Sequence, residues 1–410
     1  MVVLFGASLV LPDRILSPGT LAIDGGRIVD LQPGAIPGVP RGGVGVALHN
    51  HFVVPGFIDV HVHGIEGVDS LDEGDAIQAM AARLPRYGVT GFCPTTVACT
   101  PAALRRVLGQ VRRARETPAA ARSRVLPAHL ESNFINPAFR GAQPAACLRV
   151  PREALSSRDA AAARVDRSAE AASFDAGDIL FEIGRARPDV GIVTVAPELD
   201  GGIDLVRWLD SQGHRVSLGH SGASYEEGLA AIAAGARRAT HLFNRMPPLA
   251  HRAPGLAGAV LQAEDVAVEM ICDGVHVHPA ILQIAVAAKH PSRVMAITDG
   301  TAAASLPAGG RARLGGQSIS VRDSAAVLAD GTMAGSVATL DGVFRVLVER
   351  VGLSLVDAAV MCATTPAREL GLVGCGMLAR DAIADLTVLD ADLRVVQTYV
   401  GGELAYSREP

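Results

Sequence analysis

The sequence predicts an α/β fold: a TIM-type (β/α)8 barrel with a small β-sandwich domain built from both chain termini. Three observations support this prediction. Apolar, strand-like runs recur from residue 57 onward, mostly every 20 to 35 residues, with Ala-rich helical stretches between them. Eight such runs can be counted. Histidine, glutamate and aspartate residues, which can bind metals or transfer protons, lie at the ends of several runs, where a barrel of this type has its active site.

The eight apolar runs supply the predicted barrel strands. Continuous apolar runs of this length are typical of strands that are covered on both faces, as in a parallel sheet. In chain order they are Phe57 to His63, Thr90 to Thr96, Val125 to Glu131, Ile192 to Glu198, Arg215 to His220, Arg238 to Phe243, Ala267 to Cys272 and Arg293 to Asp299.

The two ends of the chain differ from the middle. Residues Val2 to Val54 contain short β-like runs broken by Gly25-Gly26 and by proline-containing turns, and Ala384 to Tyr406 contains two more. Neither end holds a full core, so we expect the ends to pair into one β domain. The predicted division assigns 1–53 and 375–410 to this domain and 54–374 to the barrel.

Two segments interrupt the barrel pattern. About sixty residues separate the third and fourth runs; within them 141–152 is predicted as loop and 173–186 as helix. A long segment above the catalytic face is a candidate lid, here 141–190. After Asp299, glycine pairs flank the alternating segment Ser318 to Val321, which indicates a hairpin before the last helix.

Composition limits the function classes. The chain has 410 residues and 49% hydrophobic content, enough to bury a large core, and its net charge of -5 provides no basic field for nucleic acid. The apolar first eleven residues lack a basic leading region and run into Pro12, so we expect no signal peptide and no membrane span. Six cysteines without a CxxC pair favour reduced thiols and a cytoplasmic location.

Histidines and a glutamate stand at the ends of predicted strands. His61 and His63 are two apart, so both imidazoles can point to one side of a strand, as a metal ion requires. Glu131, His220 and His241 lie at or near the ends of three other runs, and one Glu with two His and an open position for water matches catalytic zinc. The same donors suit iron, manganese or cobalt. The His61/His63 pair would then supply a second ion site or support the first.

The chain contains one lysine, Lys289, which follows Ile284 to Ala288 in a predicted helix. A carbamylated lysine that bridges two metals in a barrel stands at a strand end, so this position excludes such a bridge. If two ions bind, the bridge has to be a carboxylate, and Glu131 is the best placed.

Asp299 and His276 are the candidate catalytic residues. Asp299 ends the eighth run, where a carboxylate can take a proton from water and deliver it to a leaving amine. The alternative is that it caps the following helix. His276 lies just past the seventh run and can donate to a substrate carbonyl or hydroxyl; as a surface-loop histidine it would have no such role.

Asn244, Arg245 and Arg252 follow His241 in the next loop. The planar guanidinium of an arginine can donate twice to a phosphate, and a position beside a metal ligand favours that role over simple solvation.

These residues lie in motifs that resemble the amidohydrolase superfamily, and specifically the N-acetylglucosamine-6-phosphate deacetylases. The opening segment Pro55 to Gly64 and the closing segment Ala384 to Asp390 are common to the superfamily, whereas Thr240 to Gly258 and Asp273 to His276 are more specific. The resemblance covers nearly the whole chain and implies hydrolysis of the acetamide of N-acetylglucosamine 6-phosphate to glucosamine 6-phosphate and acetate.

The resemblance also implies roles for individual residues. Asp299 would be the catalytic acid and base, His276 would contact the reacting group, and a second ion is possible because His61 and His63 are both present. Arg252 would reach the phosphate in a neighbouring subunit, which implies a homodimer. The ligands of the first ion would be Glu131, His220 and His241. Together with the arginine argument above, the predicted substrate contacts are Ala142, Gln143, Asn244, Arg245, Arg252, His276, Met333, Ala334 and Gly335, the last three in a loop.

Two departures from the family pattern leave the substrate open. Ser132 and Asn133 stand where the family has Gly-Pro, and Gln143 stands where it usually has His. A glutamine can hydrogen-bond a hydroxyl but cannot carry the charge of a histidine. The galactosamine epimer therefore remains an alternative, as does an N-acyl amino acid.

Overall fold

The computed structural model describes residues 1–35, 42–162 and 174–409. The strands are β1 (Val2–Val10), β2 (Ile15–Asp24), β3 (Arg27–Pro33), β4 (Val44–Ala47), β5 (Phe52–Pro55), β6 (Phe57–Val62), β7 (Gly64–Ile65), β8 (Val68–Asp69), β9 (Val89–Thr96), β10 (Arg124–Val125), β11 (Ala128–Leu130), β12 (Val190–Val195), β13 (Arg215–Leu218), β14 (Arg238–Ala239), β15 (Ala267–Ile271), β16 (Val294–Ile297), β17 (Arg311–Leu314), β18 (Gln317–Arg322), β19 (Ala325–Val327), β20 (Met333–Ser336), β21 (Leu386–Leu389), β22 (Val395–Val400) and β23 (Glu403–Ser407). The α-helices are α1 (Ala76–Arg83), α2 (Pro101–Glu116), α3 (Pro151–Ala162), α4 (Ala176–Arg185), α5 (Gly202–Ser211), α6 (Tyr225–Ala233), α7 (Gly255–Gln262), α8 (Pro279–Lys289), α9 (Leu340–Glu349), α10 (Leu355–Ala359) and α11 (Thr365–Leu370).

The barrel consists of eight parallel strand positions. Strands β6, β9, β11, β12, β13, β14, β15 and β16 pair in this order, each with its neighbour. The seam between the last strand and the first is closed by a bridge between Val62 and Gly300 and by the Asp299 amide, which donates to the His61 carbonyl at 3.0 Å. The predicted fold class is confirmed.

Strand residues alternate between two apolar environments. In β15, Val268 and Met270 pack into the large cluster between barrel and helices, whereas Ala267 and Ile271 belong to a separate cluster that fills the barrel. Glu269 lies between Ala267 and Ile271 on the same face of the strand and therefore points into the barrel. Both faces are buried, which explains why these strands lack a polar alternation in the sequence.

Two predicted strands are shorter than expected. The run Val125 to Glu131 is divided into β10 and β11, because Pro127 has no N–H to donate to a neighbouring strand. The run Arg238 to Phe243 ends as a strand at Ala239, because the backbone turns at His241 (φ 30°) and Phe243 (φ 75°).

Strands from both chain ends form one further sheet around its own apolar core. Its order is β23-β22-β21-β5-β1-β2-β3, with β4 beside β1, and the antiparallel pair β5–β21 joins the two ends. The termini thus form a separate β domain, as predicted. Its strands extend to Pro55 and resume at Leu386, while the residue boundaries at 53/54 and 374/375 stay predictions.

The two insertions have structure of their own. The segment 141–152 contains a 3-10 turn at Ala145–Cys147 and the start of α3. The predicted helix 173–186 corresponds to α4; Ser173 and the stretch from 163 lie outside the described residues, and the lid role stays a prediction. The predicted hairpin is confirmed as β17–β18, and β19 and β20 extend it to a four-stranded antiparallel sheet.

Lys289 is the last residue of α8, as predicted, and its ammonium group donates to the carbonyls of Val260 at 3.1 Å and Ala263 at 2.5 Å, at the end of α7. Lys289 therefore joins two helices of the outer layer.

In the part of the chain that the structure describes, no helix is long and apolar enough to cross a membrane.

Candidate active site

The predicted metal and catalytic residues meet at the carboxyl ends of the barrel strands. His220, His241 and Asp299 each follow a strand by two residues, and each has a left-handed backbone, with φ of 48°, 30° and 49°. Non-glycine residues rarely adopt this conformation, and it recurs at sites where a side chain has to be aimed. Here it turns each side chain from the end of its strand toward the barrel axis.

Glu131, His220 and His241 form a compact donor set. Glu131 Oε1 lies 2.6 Å from His220 Nε2 and 2.7 Å from His241 Nε2, and the two nitrogens are 3.0 Å apart. His220 Nδ1 lies 2.8 Å from the carbonyl oxygen of Phe139, which can only accept, so Nδ1 is the donor and Nε2 of a neutral ring has a free lone pair. One carboxylate and two imidazole nitrogens at this spacing fit a divalent cation.

A second donor set lies beside the first. His61 Nε2 is 3.3 Å from His63 Nε2 and 3.4 Å from Asp299 Oδ1, and His63 Nε2 is 3.2 Å from the same carboxylate oxygen. Glu131 lies between the sets, because its Oε2 is 3.5 Å from His63 Nε2. This is where a bridging carboxylate would have to stand.

The two histidines of the second set differ in their electrostatics. Complete burial lowers the pKa of His61 to about 3, against the attraction of the Asp299 and Glu131 carboxylates. Burial opposes protonation of His63 as well, but its hydrogen bonds with Asp299 and Glu131 prevail and raise the pKa of His63 to about 10. The two carboxylates therefore attract a positive charge to this end of the barrel, which is the setting that a metal cation requires.

Both carboxylates are held in their ionised form. Burial alone would raise the pKa of Glu131, but the charge of His220 and the hydrogen bonds with His220 and His241 hold it well below its usual value. Burial acts in the same direction on Asp299, and the hydrogen bond with His63 outweighs it, so the pKa of Asp299 is also lowered. Asp299 does not cap a helix, so the alternative interpretation is not supported.

Sequence reasoning missed two polar residues inside the barrel. Glu269 Oε2 lies 2.9 Å from His61 Nδ1, and both residues are fully buried. His129 uses both ring nitrogens for hydrogen bonds, at 3.0 Å to the Val60 carbonyl and 2.9 Å to Thr194 Oγ1. A glutamate at an inward position of an otherwise apolar strand, and a histidine two residues before a ligand, were the available signals.

Sequence reasoning also missed Asp273, which orients His276. Asp273 Oδ1 accepts from the backbone amides of Val275 and His276 at 2.8 and 2.9 Å, and Oδ2 lies 2.7 Å from His276 Nδ1. These bonds fix the turn and the plane of the imidazole, and Nε2 is the remaining polar atom of the ring. The DGVH spacing places an aspartate three residues before a histidine, which was the readable signal.

A single cavity of about 550 Å³ joins these groups. It contains most of the predicted catalytic, metal-binding and substrate-binding residues. The predicted residues in its wall are His63, Glu131, Ala142, Gln143, His220, His241, Asn244, Arg245, His276, Asp299, Met333 and Gly335.

The predicted arginines take different positions. Arg245 is in the cavity wall, and among the described residues it has no carboxylate within ion-pair distance; its guanidinium donates to the Met333 carbonyl at 3.5 Å. Arg252 is exposed on the loop between β14 and α7 and lies outside the cavity. Of the two predicted phosphate-binding arginines, Arg245 is therefore the one that lies at the site of its own subunit.

One predicted feature needs correction. Met333 to Gly335 is not a loop but part of β20, because the Ser336 amide donates to the Asp299 carbonyl at 2.8 Å and holds the segment beside β16. Gly335 has φ of 64°, and a Cβ there would meet that carbonyl oxygen at 2.8 Å. Ala334 is fully buried in the apolar cluster under β17–β20.

Gln143 is hydrogen-bonded at both ends of its amide, and its predicted contact with the substrate stays a prediction. Its amide nitrogen donates to Glu131 Oε2, and its oxygen accepts from the Ala98 amide at 2.7 Å, so it supports the ligand more than it offers a free group to a sugar. Ser132 and Asn133, the other departures from the family pattern, hydrogen-bond to backbone carbonyls. Ser132 donates to the Thr194 carbonyl at 2.5 Å, and Asn133 donates to the carbonyls of Cys99 and Cys147.

Comparison with known proteins agrees with this geometry. A family model described as "Amidohydrolase family" matches residues 52–405. The chain belongs to the amidohydrolase family. This amidohydrolase is accordingly a hydrolase that acts on carbon–nitrogen bonds.

The relatives specify the group within the family. The N-acetylglucosamine-6-phosphate deacetylase of Mus musculus is 37% identical over 407 residues, or 97% of this chain and 90% of that protein. The N-acetylgalactosamine-6-phosphate deacetylase of Escherichia coli O157:H7 is 34% identical over 357 residues, or 86% of this chain and 87% of that protein. The structure of a mutant N-acetyl-D-glucosamine-6-phosphate deacetylase from Mycobacterium smegmatis in complex with N-acetyl-D-glucosamine-6-phosphate has a TM-score of 0.84 and 32% identity, and covers 99% of each chain. The resemblance carried by the sequence motifs is confirmed.

The Asp273–His276 contact generates a prediction for this amidohydrolase. Replacing Asp273 by Asn keeps the acceptor for the backbone amides but presents an NH2 group to His276 Nδ1, so the ring loses its orientation. We expect kcat to fall by about 100-fold while the fold is retained, an effect of the size seen when one oriented donor is removed. Turnover and circular dichroism measure the two quantities. Asp330→Asn, on an exposed turn, is the matched control, and an Asp273→Asn enzyme with wild-type kcat would contradict the assigned role.

Proposed function

We propose that this amidohydrolase removes the acetyl group of N-acetylglucosamine 6-phosphate and gives glucosamine 6-phosphate and acetate. The observation that carries the proposal is that the donor set, Asp299, His276 and the unpaired Arg245 line one cavity of about 550 Å³. A cavity of this volume accommodates a small polar ligand. The relatives named above and the ligand of the Mycobacterium smegmatis protein support the same substrate.

Glu131, His220 and His241 would hold a divalent cation, for which we propose zinc, with iron, manganese and cobalt as alternatives. When bound, such an ion supplies Lewis acidity for the acetamide carbonyl and acidifies a water molecule. His61, His63 and Asp299 offer the place for a second ion.

Asp299 moves the proton in the proposed reaction. Its ionised carboxylate lies between the two histidines of the second set and opens into the cavity. It can accept the proton of the attacking water and then deliver it to the nitrogen as the carbon–nitrogen bond breaks. One carboxylate therefore serves first as base and then as acid, and the amine leaves in neutral form.

His276 binds the reacting group. Its ring, held by Asp273, projects its remaining nitrogen from the loop after β15, and it lies in the wall of the same cavity as Asp299. We assign it a hydrogen bond that Nε2 donates to the acetamide oxygen when both ring nitrogens are protonated, or accepts from a sugar hydroxyl when only Nδ1 is, so that a fixed polar group meets the reacting molecule without reorganisation.

The phosphate requires positive charge, and two arginines can provide it. Arg245 lies in the cavity wall of its own subunit, and Arg252 is exposed on the adjoining loop. We propose that Arg252 reaches the cavity of a second copy, so that a homodimer completes each site. We also propose that the enzyme acts in the cytoplasm on this small-molecule substrate.

The galactosamine epimer is the second candidate substrate. The observation in its favour is that Gln143, at a position where the family usually has histidine, is occupied by Glu131 and Ala98 and leaves the sugar hydroxyls to other groups. The 34% identity to an N-acetylgalactosamine-6-phosphate deacetylase supports it as well.

Release of acetate tests the proposed reaction. We expect the wild type to release acetate from N-acetylglucosamine 6-phosphate, and Asp299→Asn to keep the ion held by Glu131, His220 and His241 but to lose at least about 1000-fold in kcat, because the amide cannot accept a proton. Faster release from the galactosamine epimer would select the second candidate. Release from N-acetyl amino acids alone would contradict the proposal.

Arg245→Gln tests phosphate binding within the subunit. Loss of a charge-assisted hydrogen bond should raise KM for the phosphorylated sugar by about tenfold or more, because such a bond contributes about 1.5 kcal/mol or more. The rate constant kcat/KM for unphosphorylated N-acetylglucosamine should not change. Arg322→Gln, an exposed arginine on β18, is the control. An equal loss for both sugars would show that Arg245 does not bind the phosphate.

Subunit mixing tests the role of Arg252. Arg252→Gln and Asp299→Asn should each be nearly inactive as homodimers. In a mixed dimer, one of the two sites combines an intact Asp299 from one subunit with an intact Arg252 from the other. We therefore expect a mixed dimer to recover up to about half of the activity of a wild-type dimer. Mixtures refolded together and assayed for acetate measure this, and no recovery in verified mixed dimers would exclude a shared site.

A further inference from the structure

The Glu269 carboxylate lies inside the barrel, directly behind His61. It occupies the middle of β15 between the inward-facing Ala267 and Ile271, and neither Glu269 nor His61 has any exposed surface. A carboxylate in such a place is costly unless an interaction compensates it. The reaction assigned above gives Glu269 no direct contact with substrate.

The contact between Glu269 and His61 fixes the imidazole tautomer. A neutral imidazole that binds a cation through Nε2 carries its proton on Nδ1, and Glu269 Oε2, at 2.9 Å from His61 Nδ1, is placed to accept a hydrogen bond from it. The Nε2 lone pair of His61 then points to His63 and Asp299, at 3.3 and 3.4 Å. In the other tautomer, Nε2 would carry a hydrogen and would donate to Asp299 instead of binding a cation.

The contact with His61 is the main interaction of the Glu269 carboxylate. Among the described residues, His63 Nδ1 and Glu269 Oε1 are buried without a hydrogen-bond partner. The Nδ1 atom of His129 is 3.7 Å from Glu269 Oε1, but it is used by the Val60 carbonyl. Glu269 thus retains an uncompensated carboxylate oxygen close to the second donor set, where a cation would balance it.

We propose that Glu269 is a positioning residue that commits His61, together with His63 and Asp299, to bind a second divalent cation. The inference rests on the proposed function, because it assumes that the first donor set holds a metal. Partners behind a ligating histidine fix its ring and increase its basicity, and their loss typically weakens metal binding by about 10- to 100-fold.

Metal titration of the whole metal-free protein tests the proposal, with zinc as the probe and calorimetry as the measurement. We expect the wild type to bind two equivalents. Glu269→Gln keeps the shape of the side chain but removes its charge and allows an NH2 group to face Nδ1. It should bind the first equivalent with unchanged affinity and the second about 10- to 100-fold more weakly. Glu269→Met, which has no acceptor, should lose more.

Glu182→Gln is the matched control, because Glu182 is another buried carboxylate, paired with Arg105 at 2.6 Å on the outer helices. It should bind both equivalents like the wild type. Nitrogen-15 spectra of the histidine rings in the metal-free protein add a second readout: the Nδ1-protonated form of His61, identified by its absence in His61→Gln, should be lost in Glu269→Met.

Three results would overturn the inference: a wild type that binds a single equivalent, a Glu269→Gln protein that binds both as tightly as the wild type, or one that loses both in equal measure. Metal binding does not depend on the substrate. A protein that shows the expected titrations but releases no acetate from the sugar phosphates would refute the proposed function and leave the role of Glu269 standing.

Discussion

The arrangement of the site depends on the Glu131 carboxylate. One of its oxygens lies within 2.7 Å of nitrogens from His220 and His241, and the other is 3.5 Å from His63. The Glu131 amide donates to the Thr96 carbonyl at 3.1 Å, so the residue is anchored to the neighbouring strand. A single buried anion thereby connects side chains from four strands of the barrel. The positive charge that these groups attract follows from its ionisation.

Much of the site could be predicted because its signals are local. The spacing of His61 and His63, and the positions of Glu131, His220 and Asp299 at the ends of apolar runs, report strand alternation and barrel topology directly. The contacts that escaped prediction are of a different kind. Glu269 and His61 are 208 residues apart and meet across the barrel interior, and no pattern along the chain reports such a contact.

The error at β20 has the same origin. The family resemblance implies a loop at Met333 to Gly335, whereas the segment is a strand, because it is held by the backbone after β16, far away in the sequence. The hydrogen bonds at both ends of the Gln143 amide are equally invisible in the sequence, since their partners lie on other strands and loops. Buried polar atoms without a hydrogen-bond partner are concentrated at the site. Of five such side-chain atoms in the described residues, three belong to His63, His241 and Glu269.

The seam of the barrel adds a consequence for biogenesis. The Asp299 amide bonds to the His61 carbonyl, so the proposed base and a candidate ligand of the second donor set lie at the ends of the two strands that close the barrel, 238 residues apart along the chain. A chain whose eighth strand has not docked has neither the base nor a complete second donor set. Such a partly assembled barrel would lack the proposed catalytic groups, so we expect catalytic competence to require the closed seam.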